Sequence, residues 1–338
     1  MRDRKKKRPE SKLSWLLYIL LIALIAMYAV FQNIAVGAAA FILIIIILVF
    51  EVRTSIATEG AKRSAIDIAA AVGAAVVFWI LLIIVLQTPA PIDAVSSCSM
   101  LPALGRGDLV VLHGIGNMSS FIYNSHVPVV NVSAGEYARM QGNMSNEFLA
   151  FFAYLGGNRS RISANFTSGQ EHNISLYSVA CISRAEYYGK INGIANCTVT
   201  QQEQQDNLIK YAYSIGTQSV GGRNLSEVYT SQITIGNTTI SENHSNPIIV
   251  YQTTSKDSFT GSIIHRLYAI LNVSGKYYFL TKGDNNPSMD IEFGNYPANQ
   301  SAVLGYVIAD IPVLGYVKLL LSGQIATPAG CGSVLSTQ

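Results

Sequence analysis

Charged residues are scarce in this sequence. Only 13% of the 338 residues are Asp, Glu, Lys or Arg, and half of all residues are hydrophobic. Soluble domains usually carry about 25% charged residues, so the composition argues against a wholly cytosolic protein. Beyond residue 90, 13 basic residues stand against 15 acidic ones. No basic stripe is present there, which argues against nucleic acid as a partner.

Cysteines and several ligand-binding motifs are also scarce or missing. Four cysteines in a chain of this length exclude a scaffold built from disulfides. The sequence contains no Gly-rich phosphate loop, no HExxH and no CxxC. We therefore expect neither a cofactor nor a bound metal.

Long apolar runs are present instead, and they lie near the N-terminus over residues 13–31, 34–50 and 68–86. Each has about the length that a helix needs to cross roughly 30 Å of hydrocarbon. The first run lacks a small-residue cleavage site and is followed at once by the second, which favours a membrane helix over a cleaved signal peptide. The sequence predicts a basic leader over residues 1–12 and three transmembrane helices over 13–87.

The distribution of Lys and Arg predicts the orientation of these helices. The leader is strongly basic, the Gln32-Asn33 connection is uncharged, and the loop over residues 51–67 carries three basic residues. The leader and this loop are therefore expected in the cytoplasm, and the chain from residue 88 onward on the outer side. This arrangement predicts a multi-pass protein of the cell membrane with an extracytoplasmic main domain.

Glycan acceptor sequons give an independent indication of the same topology, because glycans are attached on translocated surfaces. Twelve of the 20 asparagines after residue 90 begin an N-x-S/T sequon. The alternative is that Asn, Ser and Thr are simply abundant in a polar, β-rich region. The sequons begin at Asn117, Asn131, Asn143, Asn158, Asn165, Asn173, Asn196, Asn224, Asn237, Asn243, Asn272 and Asn299.

Strand-forming segments dominate the outer part of the chain. Apolar and β-branched residues predict strands over 109–112, 247–251, 262–267, 276–281 and, with breaks, 302–321. These segments predict a β-rich domain made of residues 88–114 and 247–325, followed by a tail over 326–338. Residues 115–246 are expected to form an inserted, glycosylated module of mixed structure, in which Cys181 and Cys197 are candidates for a disulfide.

Three polar motifs accompany these strands. They are Ser-Cys-Ser-Met-Leu-Pro over 97–102 with Gly-Asp at 107–108, Ile-His-Arg over 264–266, and Gly-Asp-Asn-Asn over 283–286 with Asp290. In this order they resemble the boxes of type I signal peptidases, in the archaeal and endoplasmic-reticulum form that has His where the bacterial form has Lys. The resemblance does not cover the first two apolar runs or most of the insertion.

The chemistry of peptide hydrolysis by serine requires a base, donors for the oxyanion and usually a carboxylate that orients the base. The resemblance implies that Ser99 is the nucleophile, His265 the base and Asp290 the orienting acid. Asp284 competes for the last role, and its other expected role is to cap its own turn. The resemblance also implies an oxyanion hole made by the Ser99 N–H and the Ser97 hydroxyl.

The function implied by the resemblance is the removal of signal peptides from exported proteins at the outer membrane surface. The implied partners are signal-peptide-bearing preproteins, the lipid bilayer and the protein-export channel. One alternative is a surface glycoprotein in which the scaffold remains but catalysis is lost; another is a peptidase dedicated to one partner. The presence of Ser99, His265 and Asp290 together weighs against lost catalysis.

Overall fold

A computed structural model describes most of the chain outside the middle of the predicted insertion. The described residues are 12–31, 34–142, 208–220, 223–254, 259, 261–293, 295–324, 328 and 331–336. The predicted pairing of Cys181 with Cys197 lies outside them.

Three helices form the N-terminal part: α1 over Lys12–Phe31, α2 over Ile34–Glu59 and α3 over Ala61–Leu86. In α2 and α3, residues 35–58 and 61–86 are long and apolar enough to cross a membrane, and α1 contains a shorter apolar stretch. Most of the large apolar side chains on these helices are exposed. The helices therefore present an apolar surface that no other described part of the chain covers.

The loop predicted over residues 51–67 is wrong, because helix continues on both sides of Gly60. Gly60 has φ 83°, which an L side chain rarely adopts, and the Ser55 and Ser64 hydroxyls lie 3.0 Å apart across the turn. The charged residues that end the apolar runs are themselves good helix formers. They limit the apolar stretch without ending the helix.

The larger sheet has eight strands, which are β1 (Ile92–Ala94), β2 (Leu109–His113), β3 (Val129–Val132), β7 (Ile248–Gln252), β8 (Ser262–Val273), β9 (Lys276–Lys282), β10 (Ala298–Asn299) and β11 (Val303–Ile311). Their order in the sheet is β1-β2-β11-β7-β8-β9-β10, and β3 pairs with β8. Neighbouring strands run antiparallel except for the parallel pair β3 and β8.

The predicted strands of this sheet are confirmed, with one exception over residues 302–321. There the strand ends at Ile311, and after a turn the chain forms helix α6 over Tyr316–Leu321. Pro312 lacks an N–H for a further ladder hydrogen bond. At Gly315 a Cβ would lie 2.6 Å from the Asp108 carbonyl oxygen. The turn between β11 and α6 therefore passes too close to the Gly107-Asp108 segment to carry a side chain at this position.

A second sheet has four strands in the order β12-β4-β5-β6, all antiparallel. Its strands are β4 (Ile209–Val220), β5 (Arg223–Ile235), β6 (Thr238–Ser241) and β12 (Ser333–Ser336). Strand β12 belongs to the segment predicted as a C-terminal tail, so this segment joins the described part of the insertion. Two helices, α4 (Met118–Ser125) and α5 (Ala134–Gly142), flank β3.

Apolar residues fill three buried clusters around the larger sheet. One joins β8 and β9 to the second sheet and α5, and another lies under α4 on β7, β8 and β9. The third, which includes Met100, Leu104, Val110, Leu112 and Val250, lies under the segment that carries Ser99. The Tyr28 hydroxyl of α1 donates to the Val313 carbonyl oxygen at 2.9 Å, so the helices contact the β domain directly.

Candidate active site

Ser99 lies in a turn between β1 and β2 that apolar packing anchors. The next residue, Met100, is 1% exposed, whereas Ser99 itself is half-buried. The Leu104 N–H donates to the Met100 carbonyl oxygen at 2.9 Å and closes the turn. The buried Met100 side chain therefore anchors the turn, and the Ser99 hydroxyl beside it stays accessible at a fixed position.

The Gly107-Asp108 pair of the first motif stabilises the turn that carries Ser99. The Asp108 carboxylate accepts from the Gly105 N–H at 2.6 Å and from the Val313 N–H at 3.1 Å. Gly107 has φ 89°, and a Cβ there would lie 2.1 Å from the Tyr316 ring. These residues join the turn to the segment after β11 and do not contact Ser99.

His265 lies on β8, between β7 and β9, and is 8% exposed. Its Nε2 lies 2.8 Å from the Ser99 hydroxyl oxygen. Its Nδ1 lies 2.7 Å from both carboxylate oxygens of Asp290. An ionised carboxylate only accepts hydrogen bonds, so the ring proton is on Nδ1 and the Nε2 lone pair faces Ser99.

Asp290 begins a short 3₁₀ helix over Asp290–Phe293, after the turn that follows β9. The turn brings its carboxylate, which is buried, back to His265. Oδ2 also accepts from the Tyr251 hydroxyl at 2.9 Å and from the Thr281 hydroxyl at 2.5 Å. Three donors from three strands therefore hold this carboxylate.

Asp284 does not serve as the predicted turn cap, and this expectation is corrected. Both of its oxygens accept from Arg266, at 2.8 Å from Nε and 2.7 Å from Nη2, in a bidentate ion pair. Arg266 follows His265 on β8, and consecutive strand side chains point to opposite faces. The two acids therefore serve two different faces of the strand: Asp290 bonds to His265, and Asp284 bonds to Arg266.

The other residues of the nucleophile motif have distinct partners. The Ser97 and Ser99 hydroxyl oxygens lie 3.1 Å apart. Cys98 forms a disulfide with Cys331, so it carries no free thiol. The buried Lys282 donates to Glu242 at 2.7 Å, so its ammonium is engaged in an ion pair away from the triad. Among the described residues, no group of three or more His, Cys, Asp or Glu side chains is arranged to hold a metal.

The chain is similar to the signal peptidase complex catalytic subunit SEC11 of Chaetomium globosum, with 36% identity over 86 residues, which are 25% of this chain and 48% of that protein. The predicted resemblance is confirmed. The SEC11 subunits of Neurospora crassa and Sclerotinia sclerotiorum are 39% identical over 80 residues and 38% identical over 78. Each of these two matches covers 22% of this chain and 44% of the relative.

The chain spans about half the length of the curated relatives it matches. No protein-family model matches it, and no solved structure matches it.

Two residues of the site lie outside the signal-peptidase motifs and are missed by sequence reasoning. Tyr251 and Thr281 each place a hydroxyl on Asp290, and each is buried within a strand of apolar residues. A buried hydroxyl requires a hydrogen-bond partner. A polar side chain inside an apolar strand is therefore the signal that could have indicated them.

Proposed function

We propose that this protein is a membrane-anchored serine endopeptidase that removes signal peptides from exported proteins. The observation that carries the proposal is the position of His265, whose Nε2 and Nδ1 contact Ser99 and Asp290 at 2.8 and 2.7 Å. These are the contacts that a general base needs with its nucleophile and its orienting acid. The similarity to catalytic subunits of the signal peptidase complex supports the substrate class.

In the first step, His265 takes the Ser99 proton as Oγ attacks the scissile carbonyl carbon. The resulting imidazolium is stabilised by the Asp290 carboxylate, which the Tyr251 and Thr281 hydroxyls hold in place beside Nδ1. His265 then gives the proton to the leaving amine, and the signal peptide remains as an acyl ester on Ser99. The same imidazole then takes a proton from a water molecule as the water attacks the ester carbonyl, and it returns that proton to the Ser99 Oγ as the ester bond breaks and the signal peptide leaves as a carboxylic acid.

The oxyanion of each tetrahedral intermediate needs hydrogen-bond donors. We assign this role to the Ser99 N–H and the Ser97 hydroxyl. In the resting site the Ser99 hydroxyl donates to His265, so Ser97 is the donor between the two serines. A short rotation of the Ser97 hydroxyl redirects its hydrogen bond from Ser99 Oγ to the developing oxyanion.

We propose that α1, α2 and α3 cross the bilayer, with the leader in the cytoplasm and the β domain outside. The exposed apolar side chains of the helices support burial in lipid. Ser99 follows the end of α3 by 13 residues, and this short spacing supports a position near the outer membrane surface, where a bond beyond an inserted signal peptide emerges. Exposure of the sequon asparagines Asn117, Asn131, Asn237, Asn243 and Asn299 supports their glycosylation.

Cleavage of an exported precursor tests the activity directly. The purified protein in detergent should cut a precursor once, at the C-terminal side of its signal peptide, and N-terminal sequencing of the product locates the cut. The matched control is Ser99→Ala, which removes the nucleophilic oxygen alone. Cleavage by the control at the rate of the unaltered protein, or no cleavage of several different precursors, contradicts the proposal.

The topology is tested by cysteine labelling at two sites. A cysteine at Val220 should react with a membrane-impermeant maleimide in intact cells, whereas one at Ala57 should react only after the membrane is permeabilised. The protein without either substitution gives the background from its own four cysteines. Labelling of both positions from the same side contradicts the three-helix topology.

Glycosylation is tested separately by the intact mass of the protein. A mass equal to the 36.5 kDa of the sequence contradicts it.

A further inference from the structure

We propose that residues 331–336 act as a clamp that positions the turn carrying Ser99, called here the nucleophile turn. The clamp acts through Cys331 and through the side chain of Asn285. This C-terminal clamp deepens the proposed function and rests on it. The two positioning residues lie far from Ser99 in sequence, and neither takes part in proton transfer.

The first link is covalent. Cys98 immediately precedes Ser99, and its sulfur is bonded to that of Cys331 across a sequence separation of 233 residues. The bond fixes the residue next to the nucleophile to the start of the clamp. Cys98 is buried, so this link lies beneath the turn and leaves the accessible side of Ser99 free.

The second link is the side chain of Asn285, which is 5% exposed. Its Nδ2 donates to the Cys98 carbonyl oxygen at 3.0 Å and to the Ser333 carbonyl oxygen at 2.9 Å. Its Oδ1 accepts from the Leu335 N–H at 2.7 Å. The amide thus uses both donors and its acceptor to bridge the nucleophile turn and the clamp.

The backbone of the same turn extends this bridge to Ser99. The Asn285 N–H donates to the Ser99 carbonyl oxygen at 2.7 Å. At Gly283 a Cβ would lie 2.7 Å from that same oxygen, so this close approach requires glycine. The carbonyl groups of Cys98 and Ser99 are therefore both held. The Cys98 carbonyl shares its peptide plane with the Ser99 N–H, which is the N–H assigned above to the oxyanion hole.

The clamp has its own anchor in the second sheet. Residues 333–336 pair with 217–220 of β4 over their whole length. The clamp therefore connects the nucleophile turn to a sheet that takes no part in the triad. Loss of the clamp should leave Ser99, His265 and Asp290 present but allow the nucleophile to move relative to the imidazole.

The test compares Cys331→Ser and Asn285→Asp with the unaltered protein. Cys331→Ser removes the disulfide without changing the nucleophile motif, and Asn285→Asp keeps the acceptor but cannot donate to the two carbonyls. A displacement of about 1 Å at a catalytic group lowers the rate by about 100-fold, so we expect kcat to fall about 10- to 100-fold with KM within twofold. Hydrogen exchange of the peptide over 95–104 should become faster in both variants.

Asn246→Asp is the matched control. Its buried amide also donates to one strand carbonyl, that of Leu267 at 2.9 Å, but it does not contact residues 97–99. It should lower the melting temperature while kcat and exchange over 95–104 stay unchanged. Reduction of the unaltered protein with a phosphine, which supplies two electrons while water supplies two protons to form two thiols, should lower kcat to the level of Cys331→Ser. The same treatment should leave Cys331→Ser itself unchanged.

Two outcomes overturn the clamp. One is unchanged exchange over 95–104 in both variants, which decides the matter even if no precursor is cleaved. The other is a kcat within twofold of the unaltered protein after mass spectrometry confirms that the disulfide is absent. Faster exchange in the variants, with no cleavage by the unaltered protein, supports the clamp and contradicts the proposed function instead.

Discussion

Replacing Ser99 or His265 by Ala should lower single-turnover cleavage of a precursor by about 10⁴-fold or more. The nucleophile and its base act as one unit, so loss of either should cost about as much as loss of both. The fold should survive His265→Ala, because Tyr251 and Thr281 still hold the Asp290 carboxylate. Cleavage and thermal unfolding are measured on the same preparation.

His265→Lys should not restore activity, although Lys is the base in the bacterial form of the motif. A lysine base must be kept neutral by a desolvated pocket, whereas here Asp290 lies where it stabilises the charged ammonium. The control is His126→Ala, which removes an exposed histidine from the end of α4. Near-normal turnover of His265→Ala removes the proposed mechanism.

Asp290→Asn and Asp284→Asn should have opposite effects. An amide at position 290 can no longer accept from Nδ1 as an ionised carboxylate does, and the corresponding change in a serine protease lowers turnover by about 10⁴-fold. We expect a folded and nearly inactive protein, because the amide oxygen still accepts from the Tyr251 and Thr281 hydroxyls.

Asp284→Asn should instead destabilise the protein and spare more of the activity. It removes one partner of an ion pair whose side chains are 3% and 12% exposed, which leaves the Arg266 guanidinium without its counter-charge. Loss of one partner from a buried pair costs about 3–5 kcal/mol in the free energy of unfolding. Thermal unfolding and cleavage in the same detergent separate the two variants; a folded, inactive Asp284→Asn beside an active Asp290→Asn reverses the assignment.

The grouping of Ser99, His265 and Asp290 was predictable through the resemblance of the three motifs to type I signal peptidases, because Ser, His and Asp are too common for their spacing alone to single them out. Ser99 precedes a strand, His265 lies between strand-forming residues, and Asp290 follows a turn whose Gly-Asp-Asn-Asn sequence is evident. Apolar and β-branched content was sufficient to predict the strand that carries His265, the strand after Ser99 and the strand before Asp290. The full extent of α2 and α3 could not be predicted, because hydropathy identifies the apolar stretch and not the helical residues that continue beyond it.

The contacts that join distant segments were not predictable from local pattern. The Arg266–Asp284 pair depends on the register of β8 and β9, which places Arg266 opposite Lys282. The pairing of Cys98 with Cys331 has no local signal, because four cysteines allow three connectivities and spacing does not choose among them. The hydroxyls on Asp290 likewise come from strands that meet only in the folded sheet.

The disulfide also changes the covalent topology of the chain. It closes residues 98–331 into one ring that contains Ser99, His265 and Asp290, and the helices α1, α2 and α3 lie outside this ring. In the chain-entropy view a ring of this length restricts the unfolded chain by about 5 kcal/mol. A single proteolytic nick anywhere within the ring would leave the two pieces covalently joined. The β domain therefore stays linked to the N-terminal helices after a cut that would release part of it from a linear chain.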